Sequence, residues 1–141
     1  MSFRVDYEEP IPKLVQRLEK EHRELDPKLD RVVDLASSGK LDVAESVLES
    51  IAQQILRHAV EEEARIIRLI ADNSSPELEK NTEVMRHHRR IEEFLNEKLP
   101  HLSELPVKRA KEEIADFARE LKRHHKEEEE ISFPLALKLS R

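Results

Sequence analysis

Apolar residues recur along this chain in alternating steps of three and four, the spacing that lays one stripe along an α-helix. The first stripe is Val15, Leu18, His22, Leu25, Leu29, Val32 and Ala36. A second runs Ala44, Leu48, Ile51, Ile55, His58, Glu62, Ile66 and Leu69. The third is Val84, His88, Ile91, Leu95 and Leu99, and the fourth is Val107, Ala110, Ile114, Phe117, Leu121, His124, Glu128 and Ile131. Breakers separate the stripes. Pro12 suits a first helical turn, and Gly39 in ASSGK suits a C-terminal cap. Asp42 begins the second segment, which runs to about Ala71 before the loop DNSSP. The third ends near Leu99 ahead of PHLSELP; the fourth opens around Pro106 and is broken or bent at Pro134. Apolar spacing continues on both sides of Pro27, which reads as a kink inside one helix. The pattern predicts an N-terminal arm over residues 1–11 and one domain over 12–141: all-α, an up-down-up-down antiparallel four-helix bundle.

Composition agrees with helix and narrows the chemistry. The chain is 40% charged and 4% aromatic with a single glycine, rich in helix formers and poor in residues favoured by strands. Cysteine is absent, so disulfides, thiolate metal sites and thiol nucleophiles are excluded, and any metal must be held by nitrogen and oxygen. A formal charge of −6 argues against general nucleic-acid binding, which needs clustered Lys and Arg. No run approaches the length and apolarity of a membrane span, and MSFRVDYEEP lacks the layout of a secretory leader. A soluble, cytoplasmic protein with no membrane partner is the expectation.

Each helix interrupts its own stripe with a histidine, at His22, His58, His88 and His124, and the second and fourth add Glu62 and Glu128 one turn later. A lone core histidine is usually satisfied by a neighbour, and a charge run is usually a solvated face. The second reading suits Glu61, Glu63, Glu127, Glu129 and Glu130. It fails for four inward imidazoles and two inward carboxylates, each costing several kcal/mol to bury unless mutually satisfied. A shared cation satisfies all six. The spacing supports this independently: His22 and His88, His58 and His124, and Glu62 and Glu128 are each 66 residues apart. The same offset maps Leu25 onto Ile91, Leu29 onto Leu95 and Arg57 onto Arg123, as a duplicated helical hairpin would. It keeps His88 and His124 on the seam and turns His87 and His125 about 100° away, as outer-shell or surface residues. His101, between the third and fourth helices, reads as a loop residue.

His-x-x-x-Glu places an imidazole and a carboxylate one turn apart, at 58/62 and again at 124/128. Two facing pairs, with carboxylates bridging, would hold two ions roughly 3.5–4 Å apart. Mixed imidazole and carboxylate ligation suits iron, with manganese or zinc as substitutes. A ferritin-like centre would instead want Glu-x-x-His pairs, and only Glu19 and His22 have that spacing among the seam histidines.

These residues resemble the hemerythrin-like, or HHE cation-binding, domains. The resemblance runs from about Pro12 to Pro134 and rests on EHREL, HAVEE, HHRRI and HHKEEEEISFP, the last being the most specific. It implies a non-haem di-iron centre with oxo or hydroxo bridging, held by His22, His58, Glu62, His88, His124 and Glu128, with Phe133 and Pro134 as a helix-terminating cap. It further implies binding of O2 or another small diatomic ligand, or iron sensing or storage. The alternative is a di-iron enzyme acting on peroxide or another small oxidant. Oxygen-carrying hemerythrins have a fifth histidine where this chain has Glu92; Glu92, or a nearby carboxylate such as Glu61, is the candidate to fill that place.

Overall fold

The computed structural model describes residues 4–73 and 78–141, and among them the chain is all-helical with no strand. Helix α1, Ile11–Ser37, runs unbroken through Pro27. It ends at Gly39, whose φ of 81° suits only glycine; Gly39 N–H donates to Ala36 O and Lys40 N–H to Leu35 O, closing the last carbonyls in a Schellman arrangement. This three-residue connection brings α2, Leu41–Glu61, back onto α1. A π-helical turn, Glu62–Ile67, carries α2 into α3, Arg68–Asn73. Helix α4, Leu78–Glu93, passes through a π turn, Phe94–Lys98, into a 3-10 segment, Leu99–Glu104. Helix α5, Val107–Glu127, passes through a third π turn, Glu128–Ser132, into α6, Phe133–Leu139. The turn expected at Ser74, Ser75 and Pro76 lies outside the described residues.

Helix α1 packs along both α2 and α5, and α4 closes the other side against the same two. Two apolar clusters result. The larger gathers Leu25, Leu29, Val32, Leu48, Ile55, Ile91, Ile114 and Leu121 with their neighbours. The smaller holds Leu14, Val15, Leu18, Ile66, Ile70, Phe133 and Ala136. His22 lies between Leu18 and Leu25 along α1, and His58 and Glu62 lie between Ile55 and Ile66. The buried polar residues therefore form a layer with an apolar cluster on either side.

The π turns correct the expected stripes. A π turn takes in one more residue than an α turn, so side chains beyond it advance by one position. Beyond Glu62, Ile70 is buried where Leu69 was expected; beyond Glu128, Ser132 and Phe133 are buried while Ile131 is 39% exposed. Pro134 does not terminate the helix, because Phe133 N–H already reaches back five residues to Glu128 O and Pro134 falls in the first turn of α6, where its missing donor is tolerated. Val107, expected inward, is 60% exposed at the mouth of α5. Ile114→Ala, in the middle of the larger cluster, is expected to lower unfolding free energy by about 2–5 kcal/mol, whereas Val107→Ala stays within about 0.5 kcal/mol. Urea denaturation of the two variants checks both, and equal losses would contradict the packing described.

Candidate metal centre

The six inward residues meet. His22 comes from α1, His58 from α2, His88 from α4 and His124 from α5, while Glu62 and Glu128 are each the first residue of a π turn. All six are at most 4% exposed. They form two groups of four whose ligand atoms lie within 4.8 Å of one another: His22, His58, Glu62 and Glu128, and then Glu62, His88, His124 and Glu128. Both glutamates belong to both groups. Glu62 puts Oε2 at 2.9 Å from His58 Nε2 and Oε1 at 3.8 Å from His88 Nε2. Glu128 puts Oε1 at 2.9 Å from His124 Nε2 and 3.7 Å from His22 Nε2. Each carboxylate thus spans the two histidine pairs.

Every Nε2 faces inward. His22 Nε2 is 3.0 Å from His58 Nε2, and His88 Nε2 is 2.9 Å from His124 Nε2. The outer nitrogens explain which way the lone pairs point. His58 Nδ1–H donates to Glu21 at 3.2 Å, His88 Nδ1–H to Glu63 at 2.9 Å and His22 Nδ1–H to Glu129 at 3.3 Å, while His124 Nδ1 meets His87 Nδ1 at 3.4 Å. A carboxylate can only accept, so the three carboxylate contacts put a proton on Nδ1 of His22, His58 and His88 and leave Nε2 as the nitrogen that a cation could take. A first-row divalent ion bonds imidazole nitrogen at about 2.1 Å, and two such bonds at a right angle set the nitrogens about 3.0 Å apart. Both observed separations match that chord.

The carboxylates carry the other half of the constraint. All four oxygens of Glu62 and Glu128 are buried and lack a hydrogen-bond partner of acceptable geometry among the described residues. Such groups are destabilising unless a charge compensates them. Protons make only partial compensation. Burial and the adjacent Glu62 carboxylate push Glu128 well above the ordinary carboxyl range. Burial opposes a charge on His58, but the carboxyl groups of Glu128, Glu21 and Glu62 around it raise its pKa well above the imidazole value. Burial, with His125 and His58 nearby, drives His22 down to about 2, and burial lowers His124. Burial opposes a charge on Glu62 as well, but Glu128, His58 and His88 around it hold it well below the ordinary carboxyl range. The donor set fits a pair of divalent cations, which would replace these protons.

Several outer residues were not visible in the stripes. Glu63, expected to be solvated but half-buried, and Glu129, exposed as expected, are both partners of ligand-position histidines, and the 66-residue offset relates them to each other. Glu61 is neither solvated nor in either group of four: it is 6% exposed and salt-bridged to Arg17 and Arg57. Arg17 also holds Glu9 at 2.8 Å and Glu21 at 3.3 Å, which braces the partner of His58. His125 is not a surface residue but is 2% exposed, stacked on His22 at 4.0 Å between centroids and bonded through Nδ1 to Asp26 at 2.7 Å. Phe133, 1% exposed, is parallel to His22 at 5.7 Å, so it packs beside a histidine of the centre and does not cap a helix. Glu92 is half-buried and outside both four-residue groups. Sixty-six residues before it stands Asp26, whose carboxylate serves His125 and not the centre. His101 and Glu130 are exposed, as expected.

Beside the polar layer lies a small void of about 10 Å³, just enough to centre one water-sized molecule. Leu25, Ile55, Ala59, Ile91 and Leu121 give it apolar walls, and His58, Glu62, His88, His124 and His125 reach it. Comparison with family models, with curated proteins and with solved structures finds no match. The reading of the site therefore rests on its geometry. If Glu128 is buried for a cation and not for the fold, Glu128→Met is expected to lower metal uptake strongly while the metal-free chain still folds. Thermal melts and metal analysis check this; a destabilised variant with unchanged metal uptake would make the carboxylate structural.

Proposed function

We propose that this chain is a non-haem di-iron protein of the hemerythrin-like class, an up-down-up-down antiparallel bundle of two duplicated helical hairpins that binds O2 or a similar small diatomic ligand. One observation carries the reading: four buried glutamate oxygens without hydrogen-bond partners stand among four inward Nε2 atoms, in two groups that share both glutamates. His22 and His58 would hold one ion, His88 and His124 the other, and Glu62 and Glu128 would bridge them. Imidazole with carboxylate suits iron better than softer metals do, and manganese or zinc could substitute. Bound there, a ferrous pair would supply the electrons and an open coordination position for a small oxidising ligand.

The chain's own residues fit that task. Each group of four would offer an ion two imidazoles and the two shared carboxylates, which would leave a place for a further ligand. The void meets the centre on the side of Leu25, Ile55, Ile91 and Leu121, so a small ligand would approach through apolar walls. Glu21, Glu63 and Glu129 hold three rings in the tautomer that presents Nε2. No helix among the described residues is long and apolar enough to cross a membrane.

Mixing the anaerobic, ferrous-loaded chain with oxygenated buffer in a stopped-flow spectrometer tests the proposal. A transient visible absorption band is expected that the zinc-loaded chain lacks. No band at any time, with iron still bound, would overturn the diatomic-ligand reading.

A further inference from the structure

The 66-residue offset compares the two halves of the centre residue by residue, and the comparison fails at two places. Glu129 on His22 corresponds to Glu63 on His88, a match in kind. Glu21, which accepts from His58 Nδ1, corresponds to His87, which meets His124 Nδ1. One half thus has two carboxylate partners and the other has one carboxylate and one imidazole. Glu127 lies 4.0 Å from the same Nδ1 of His87, and its side chain is 43% exposed, so it makes no hydrogen bond to His124 in place of the missing carboxylate. The second mismatch is His125, whose counterpart is Ala59. His125 covers His22 by stacking, and the void lined by Ala59 and His125 together reaches His88, His124 and His58 but not His22.

We infer that the two metal positions are inequivalent, the His22/His58 position anchored and the His88/His124 position exchangeable, with His87 as the positioning residue that sets the difference. The inference rests on the dinuclear reading above. A carboxylate on Nδ1 makes an imidazole a stronger donor and fixes its ring, and removing such a partner costs roughly 10–100-fold in metal affinity. His87 offers His124 only a neutral acceptor. The void borders both histidines of the second position, His88 and His124, but only His58 of the first, because the stacked His125 shields His22. Both differences favour loss from the same position.

The full chain, loaded with two zinc ions and labelled with 15N in its histidines, is mixed with a chelator. Two release phases are expected, separated by about 10-fold or more in rate. Nitrogen spectra taken between the phases should show His88 and His124 freed and His22 and His58 still bound. His87→Glu should slow the fast phase toward the slow one, and His87→Gln, which keeps a neutral acceptor, should preserve the separation. Glu21→His should accelerate the slow phase, an independent check should His87→Glu fail to fold. Release in one phase, loss from His22 and His58 first, or an unchanged separation in a two-zinc His87→Glu chain would each overturn the inference while leaving the dinuclear reading intact. A folded chain that takes up no zinc or iron would overturn both.

Discussion

Two carboxylates without hydrogen-bond partners, buried between four imidazoles whose Nε2 atoms face one another, set the constraint to which the rest of the molecule answers. A core of this length could be closed with apolar residues alone, and replacing buried ionisable groups by apolar ones generally leaves a fold as stable or more so. The polar layer therefore makes physical sense as a ligand set. Its position between two apolar clusters keeps water out and the field strong, which raises both the cost of unpaired charge and the gain from a cation.

The outer contacts turn proximity into a site. Glu21, Glu63 and Glu129 orient three imidazoles by accepting from Nδ1, and Arg17, held by Glu9 and Glu61, fixes Glu21 in turn. The N-terminal arm takes part, because Arg65 donates to the carbonyls of Asp6 and Glu9 and so ties the arm to the turn that begins with Glu62. The π turns at Glu62 and Glu128 serve the same end. They allow each helix to place a carboxylate at the centre and then resume with its apolar face one position later.

Much of this was legible in the sequence because helical periodicity and the 66-residue offset act over long stretches. The stripe of α1 was correct at every position from Val15 to Ala36, and all six inward polar residues are buried and grouped. Errors fell where one local event shifts everything after it. A π turn has no strong sequence signature, so Leu69 and Ile131 were placed inward by the α-helical period. Glu63, Glu129 and Glu61 look alike in a glutamate-rich run, and only the partners brought by other helices distinguish them. The offset itself related Glu63 to Glu129 and Glu21 to His87, a signal that the stripes alone did not carry.

The account depends most directly on how many cations the folded chain holds. Anaerobic loading with ferrous iron, removal of unbound metal and measurement of iron against protein should give two ions per chain. One ion or none, in protein whose helical spectrum is intact, would contradict a centre in which Glu62 and Glu128 are shared between two positions.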